Sequence, residues 1–260
     1  MLWRVNDSGL WLFGSVHVLD VPPLPLSAVA EAAFGAATRV VFEHDITHPP
    51  DMAFAHLKPG ELLSSLIPAA LYASVKDRCR EWFMNIENAS RLQPWLVALS
   101  LSVQTAKLAG MDPANGVDRN LLPLARAQGK TIEFLEDAGA ALLGFANAPL
   151  AEQQRMLSLA AEDVPGGIDH FKRLTEAWKA GRADLVFECA KERVMQMPTM
   201  FASVITGRNR LWLPRLLALV KGSERTLVVA GALHMVGPTG LPAMLRQNGC
   251  DVVRVDVTGE

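Results

Sequence analysis

Cysteine is scarce in this chain of 260 residues, which contains only three, at positions 79, 189 and 250. Their number is odd and their spacing is wide, so they predict neither a disulfide framework nor a Cys-x-x-Cys metal site. An excess of one charge is also missing, because 25 Lys and Arg residues stand against 27 Asp and Glu residues, for a net charge of −2. Without a run of basic residues, the sequence lacks the positive surface that nucleic-acid-binding proteins need.

Membrane-spanning and targeting segments are not found either. The uncharged stretches 92–106, 138–151 and 194–207 are each shorter than the roughly 20 residues of a membrane span, and each contains Pro, Asn or Gln. The first residues show no basic region before an apolar core and no small-residue cleavage site, so the chain as it stands is predicted to be cytoplasmic. It would be periplasmic or secreted if a leader had been removed. Half of the residues are hydrophobic, which predicts a globular protein with a sizeable core.

Strand and helix patterns divide the chain into strand-rich ends, 1–48 and 222–260, and a helical middle, 49–221. We predict an α/β (α+β) fold in a single domain, residues 1–260, with a mixed central sheet from two related halves and a large helical insert. Buried strands are predicted at 2–5, 10–16, 39–43, 130–135, 225–230 and 251–257. Prolines break the pattern at 21–25, and helices are predicted at 28–37, 68–83, 89–109, 116–127 and 241–247.

Two details of this prediction concern neighbouring elements. The strand–helix–strand order of residues 10–43 predicts that strands 10–16 and 39–43 pair in parallel. The long helix 89–109 is expected to be capped by Asn88 and to be interrupted or bent near Pro94.

A short element occurs twice, once near each end of the chain. Residues 14–17 read Gly-Ser-Val-His and residues 231–234 read Gly-Ala-Leu-His, and each segment follows a predicted buried strand. Ligands of α/β proteins bind outside the carboxyl ends of parallel strands, so His17 and His234 would meet if both strands belong to one sheet. The leading glycine would let the chain turn and would leave room beside the imidazole. Each histidine on its own also fits a core residue bonded to a backbone carbonyl.

Glu43 closes the predicted strand 39–43 and is the third candidate at a strand tip. Two neutral imidazoles and a carboxylate are a common ligand set for a divalent ion such as Mn²⁺, Co²⁺ or Zn²⁺. An ion held by His17, Glu43 and His234 would keep open positions for water, acidify that water and polarise a carbonyl. Taken alone, Glu43 also fits an ion pair near a helix N-terminus.

Several well-known catalytic motifs do not occur. The sequence has no His-Glu-x-x-His, no P-loop and no Gly-x-Gly-x-x-Gly after a strand, which gives no support to a zincin or a nucleotide-binding protein. Ser15 lacks the Gly-x-Ser-x-Gly surroundings of an esterase nucleophile. His44 and His48 have the spacing of two ligands on one helix face, but the two prolines that follow predict a loop there.

Six short motifs follow one another along the chain, from Trp3 to about Val255. They are Leu-Trp-x-Val, Leu-x-Gly-Ser-x-His, Val-Val-Phe-Glu, Gly-Val-Asp, Arg-Asn and Val-Val-Ala-Gly-Ala-x-His-x-x-Gly-x-x-Gly-Leu. In this order they resemble the TraB/GumN family, most specifically at the two ends of the chain. That family includes the Tiki proteases and the pheromone-shutdown proteins. It is similar at a distance to erythromycin esterases and haem-binding ChaN proteins, whose fold the resemblance implies for this chain.

The resemblance implies a function and the residues that carry it. Tiki-type members are metal-dependent peptidases, and their two histidines and glutamate match His17, His234 and Glu43. We therefore expect metal-dependent hydrolysis of an amide or related bond, with a peptide or a small molecule as substrate. Two alternatives stay open: a metal-independent hydrolase of the esterase type, and a protein that binds a peptide, metal or haem without turnover. The oligomeric state is left open.

The same resemblance draws attention to polar residues in the middle of the chain. Arg208 suits a carboxylate substrate or a developing oxyanion, because its guanidinium is forked and permanently charged. It fits an ion pair with Glu43, Asp118 or Glu136 equally well. Asp118 and Glu136 are expected to orient the histidines, although a helix cap and an exposed loop acid would explain them too. The residues expected to support the site are Asp118, Glu136, Asn209 and Ser15.

Overall fold

A mixed sheet of six strands forms the centre of the fold, in a computed structural model that describes residues 1–20 and 26–255, with Val194 by its backbone only. Its strands are β1 (Leu2–Val5), β2 (Leu10–Ser15), β4 (Arg39–Phe42), β6 (Thr131–Phe134), β7 (Thr226–Gly231) and β8 (Val252–Val255). Their order across the sheet is β6-β4-β7-β2-β1-β8. Strands β6, β4, β7 and β2 are parallel, whereas β1 is antiparallel to both of its neighbours. The predicted α/β class with a mixed sheet is therefore confirmed.

Helices make up most of the middle of the chain. They are α1 (Ala28–Ala36), α2 (Leu63–Leu66), α3 (Ala69–Glu81), α4 (Ile86–Ala89), α5 (Pro94–Leu108), α6 (Val117–Ala127), α7 (Ala140–Ala146), α8 (Leu150–Glu162), α9 (Val164–Lys179), α10 (Ala183–Val194), α11 (Pro198–Phe201), α12 (Arg208–Val220) and α13 (Leu241–Gln247). A π-helix, Ala202–Gly207, leads into α12, and two short strands, β3 (Leu19–Asp20) and β5 (Met111–Asp112), pair separately. Within the described residues, no helix has both the length and the apolar character to cross a membrane.

The apolar side chains divide between two cores. The first surrounds the sheet, where every residue of β7 is buried, as expected for a parallel strand that is covered on both faces. The second lies among the helices of the middle segment, with Leu71, Val75, Leu101 and Leu157 at its centre. The sheet core fixes the strand ends that carry the candidate site.

One strand pairing differs from the prediction. Strands β2 and β4 are parallel, but β7 lies between them, with Val228 opposite Leu12 on one side and Val41 on the other. The apolar run at 226–231 takes the central position because it alone can bury both of its faces along its whole length. The expected direct pairing of strands 10–16 and 39–43 is therefore wrong.

A second correction concerns the predicted helix 89–109. The structure contains two helices here, α4 and α5, and the Asn85 side chain caps the first by accepting from the backbone N–H of Asn88. The predicted cap at Asn88 is therefore wrong, whereas the predicted interruption near Pro94 is observed. Pro94 occupies the first turn of α5, where a missing N–H costs nothing, so it begins the second helix. The predicted proline-rich break at 21–25 and the end of the last predicted strand, 256–257, lie outside the described residues.

Candidate functional site

The two Gly-x-x-His segments leave neighbouring parallel strands at the same edge of the sheet. Ser15 of β2 lies opposite Gly231 of β7, and β4 on the other side of β7 ends one residue before Glu43. The Nε2 atoms of His17 and His234 both lie 3.9 Å from Oε1 of Glu43. The structure thus brings the three predicted strand-tip residues together.

Asp118 holds the His17 ring in place. His17 Nδ1 donates to Asp118 Oδ2 at 2.9 Å, and the buried Ser15 hydroxyl donates to the other carboxylate oxygen at 2.7 Å. Asp118 lies in the first turn of α6, and the backbone N–H of Val117 fixes that turn by donating to the Val16 carbonyl. With Nδ1 bound to Asp118, Nε2 is the nitrogen that faces Glu43. His17 is also the exposed member of the site, with 62% of its side chain accessible.

Asn209 fixes the orientation of the His234 ring, as Asp118 does for His17. The Asn209 amide donates to the carbonyls of His234 and Thr239, which leaves its Oδ1 to accept from His234 Nδ1 at 2.6 Å. The proton on Nδ1 leaves a lone pair on Nε2, and Arg208 Nη1 donates to this atom at 3.0 Å. Burial of the ring and the nearby charges of Arg208 and His17 lower the pKa of His234 to about 3, against the pull of Glu43. His234 is therefore a neutral imidazole.

Arg208 is a buried cation, and every N–H group of its guanidinium donates a hydrogen bond to another residue of the protein. Its guanidinium donates to the carboxylates of Glu43 and Glu136, to the Val204 carbonyl and to His234 Nε2. These contacts use all five of its N–H groups. Of the three ion-pair partners considered for it, Glu43 and Glu136 are the ones it contacts. The π-helix that ends at Gly207 delivers Arg208 to this position, and such distortions are frequent at functional sites.

Glu136 forms its ion pair with Arg208. It follows β6, and its carboxylate accepts from Arg208 and from the indole N–H of Trp212 at 3.0 Å. The Trp212 ring also packs against His234, with 4.5 Å between ring centroids. Among the described residues, no hydrogen bond or ion pair joins Glu136 to His17 or His234, so the expected direct support of these two rings by Glu136 is not seen.

The charges around Glu43 set the protonation of the site. Burial disfavours the carboxylate, but His234, His17 and Arg208 together hold the pKa of Glu43 well below its usual range. The covered part of the His17 ring likewise disfavours charge, yet the carboxylates of Asp118 and Glu43 outweigh this and raise the pKa of His17 to about 9. At neutral pH, and with no ion bound, His17 is charged while His234 is neutral.

The pKa of His17 predicts how stability changes with pH. Because it lies above the ~6.5 of an unfolded histidine, its contribution is complete below pH ~6.5 and is lost as pH rises through about 9. We expect the urea midpoint of chelator-treated protein to fall over this window, and to fall less in Asp118→Asn. The exposed pair of His48 and Asp45 provides the control variant, Asp45→Asn. An identical decline in wild type and Asp118→Asn would contradict the assignment.

Two features of the site, at Gly231 and at His44, are not predicted by the sequence. The backbone N–H of Gly231 donates to Glu43 Oε1 at 2.6 Å, a contact that the predicted turn and the predicted room beside the imidazole do not include. His44 was set aside because of the prolines after it, and residues 43–50 indeed contain no helix. Nevertheless, one ligand atom each from Glu43, His44 and Glu136 lies within 4.8 Å of the others, and His44 Nδ1 is buried with no partner in the described part of the chain. The fold, and no local sequence pattern, brings His44 close to these two carboxylates.

Comparison with known proteins agrees with the arrangement of motifs. The family model described as TraB/PrgY/gumN family matches residues 1–254. The uncharacterized protein YbaP of Escherichia coli K12 is 25% identical over 244 residues, which cover 90% of this chain and 87% of that protein. YbaP of Shigella flexneri matches with the same identity and coverage. No solved structure matches the chain. The chain belongs to the TraB/PrgY/gumN family.

Proposed function

We propose that this protein is a metal-dependent hydrolase of amide bonds, in which His17, Glu43 and His234 hold one divalent ion, Mn²⁺, Co²⁺ or Zn²⁺. The observation that carries the proposal is the placing of both Nε2 atoms 3.9 Å from one Glu43 oxygen. Each ring has its other nitrogen bound to a supporting side chain, Asp118 or Asn209. Metal-ligating histidines in proteins are usually held in this way.

The charge of the site also suits a divalent ion. With both imidazoles neutral, the carboxylates of Glu43, Asp118 and Glu136 and the guanidinium of Arg208 sum to −2. A dication would balance this charge. His234 Nε2 accepts from Arg208 Nη1, and Glu43 Oε2 accepts from Nη2. An ion on His234 Nε2 therefore requires Nη1 to withdraw, while Nε and Nη2 keep their bonds to Glu136. The donor set and its charge therefore fit the ion.

The roles of the residues follow from their positions. A bound divalent ion supplies Lewis-acid chemistry, in that it polarises a carbonyl and acidifies water. Asp118 and Asn209 hold the imidazole rings, and the Gly231 N–H fixes one oxygen of Glu43. If Glu43 is not a ligand, it takes the proton of the attacking water as general base. An additional role for Arg208 in stabilising negative charge on the substrate stays a prediction, because its N–H groups are already occupied.

A metal-independent hydrolase is the second candidate, and a specific contact favours it. Arg208 already donates to the lone pair of His234 Nε2, whereas His17 is exposed and paired with a buried carboxylate. In this reading, no ion is needed: the neutral form of His17, oriented by Asp118, takes a proton from the attacking water as general base. Turnover would then survive a chelator and be lost in His17→Ala. Ligand binding without any turnover would instead indicate the third alternative, a peptide, metal or haem binder.

Titration calorimetry on chelator-stripped protein tests the proposal. Mn²⁺, Co²⁺ and Zn²⁺ are titrated into wild type and into the double variant His17→Ala/His234→Ala. We expect one site in wild type and none in the folded double variant, because the two rings supply two of the three ligands. The matched control is His48→Ala/His56→Ala, two exposed histidines away from the site, which should bind as wild type does.

Two further measurements decide between the candidates. Retention of ion binding in the double variant, together with its loss in His44→Ala, would move the ion to Glu43, His44 and Glu136. Cleavage of a peptide mixture, followed by mass spectrometry with and without the ion, tests hydrolysis directly. Cleavage that needs the ion supports the proposal, and the absence of ion binding in wild type would overturn it.

A further inference from the structure

A cavity of about 220 Å³ opens among helices α5, α8, α9 and α10, and it shares no residue with the strand-tip site. Its apolar wall includes Met156, Leu159, Phe171 and Met197, and its polar wall includes His170 and Arg193. An apolar cavity of about 150 Å³ is enough to bind benzene. This cavity therefore has room for a single aromatic ring or a short aliphatic chain.

Arg193 is a half-buried cation whose neighbouring acids are engaged elsewhere. In the part of the chain that the structure describes, no side chain or carbonyl accepts a hydrogen bond from its guanidinium or pairs with it within 4.0 Å. Both oxygens of Glu192 accept from Arg173, at 3.0 and 2.9 Å, and Asp163 caps the backbone N–H of Gly166. Burial lowers the pKa of Arg193; the charges of Asp163 and Glu192 oppose this shift without outweighing it, and those of Arg155 and Arg173 add to it. A guanidinium in this state favours an anion.

The His170 ring also lines this cavity. Burial, followed by the charges of Arg193 and Arg173, lowers the pKa of the ring to about 4, so the ring is neutral. Its Nδ1 has almost no accessible surface and therefore does not face the open volume. The cavity thus offers an apolar volume with the guanidinium of Arg193 in its wall.

We infer that this cavity binds a small amphipathic carboxylate, whose apolar group lies against Met156, Leu159 and Phe171 and whose carboxylate pairs with Arg193. A forked guanidinium binds a carboxylate through two parallel hydrogen bonds, which fixes the orientation of the ligand. A free acid and the C-terminal residue of a peptide share this chemistry. The site is independent of the proposed hydrolase function.

Calorimetry with 3-phenylpropionate on the full chain tests the inference. We expect saturable binding at one site, and binding at least about tenfold weaker for 3-phenylpropanol, which has the same ring but no charge. Arg193→Gln should weaken the acid at least about tenfold and leave the alcohol unchanged. Arg155→Gln, which removes an exposed charge outside the cavity wall, is the matched control and should weaken the acid much less than Arg193→Gln does.

A second variant tests the apolar volume. Ala160 is 8% exposed and lines the cavity, so Ala160→Met should fill it and abolish binding of both probes. Circular dichroism checks that the variants are folded. The N-acetylated dipeptide Ala-Phe distinguishes a peptide C-terminus from a free acid, according to which of the two binds more tightly. The absence of saturable binding of either acid to wild type, or wild-type affinity in folded Arg193→Gln, would overturn the inference.

Discussion

Arg208→Met is expected to lower the free energy of unfolding of the metal-free protein by about 3–5 kcal/mol, the usual cost of breaking a buried ion pair from one side. Arg208 is only 6% exposed, and it neutralises the two buried carboxylates of Glu43 and Glu136. Methionine can fill much of the space of the arginine stem, but it removes the charge that balances both acids. Glu43 then keeps the donor N–H of Gly231, and Glu136 keeps the indole N–H of Trp212. Urea unfolding monitored by tryptophan fluorescence, in the presence of a chelator, measures the loss.

Matched variants separate charge from size. Arg215 lies on the same helix and pairs with Glu133, but its side chain is 37% exposed, so Arg215→Met should cost no more than about 1 kcal/mol. Arg208→Lys retains the charge without the forked geometry and should fall between the two. An unchanged stability of Arg208→Met would contradict the reading of Arg208 as the charge that balances Glu43 and Glu136.

The variant Arg208→Met also tests whether the guanidinium and a divalent ion compete for the same ligand atoms. If a divalent ion and the Arg208 guanidinium compete for His234 Nε2 and Glu43, removal of the guanidinium should tighten ion binding. Mn²⁺ should then restore more stability to Arg208→Met than it adds to wild type, because a ligand that binds only the folded state stabilises it. Equal effects of Mn²⁺ on the two proteins would exclude this competition while leaving the proposed ligands open.

The sequence alone predicts that the three strand-tip residues lie close together, and the reason is simple. His17, Glu43 and His234 each follow an apolar run closely, and parallel strands place their carboxyl ends at one edge of a sheet. This argument needs only that the three strands share a sheet. It does not need their order, and so the error about which strand lies beside β2 left the site prediction intact.

The contacts around those residues could not be derived in the same way. Arg208 and Glu136 are 72 residues apart in sequence, and their contact depends on how α12 packs against the end of β6. Asp118 reaches His17 because the first turn of α6 is hydrogen-bonded to Val16, which is a tertiary contact without a local signal. Sequence patterns indicate which side chains point to an edge of the sheet, whereas helix packing decides which of them touch.

Gly14 and Gly231, the two motif glycines, illustrate this difference and suggest a variant that tests where the ion binds. Both begin a Gly-x-x-His segment, but a Cβ on Gly14 would meet Ala232 Cα and the Met1 and Met235 side chains, each at 3.3 Å. A Cβ on Gly231 would instead lie 3.2 Å from His17 Nε2 and 3.3 Å from Glu43 Oε1. Only the second glycine keeps the space between the histidines and the carboxylate free. The expected room beside an imidazole is thus observed at Gly231.

Gly231→Ala is therefore expected to weaken ion binding by roughly 10–100-fold, the range that follows when the support of metal ligands is disturbed. Its backbone angles, φ −51° and ψ 141°, suit alanine, so the fold should survive with the loss of about 1–3 kcal/mol that overpacking causes. Gly14→Ala is the matched control, because its methyl group meets similar crowding at 3.3 Å without touching the site.

Calorimetry with Mn²⁺ and urea unfolding are carried out on both variants. Because both methyl groups strain the same sheet edge, a loss of ion affinity confined to Gly231→Ala would locate the ion between His17 and Glu43. Equal affinities in the two variants would place it elsewhere.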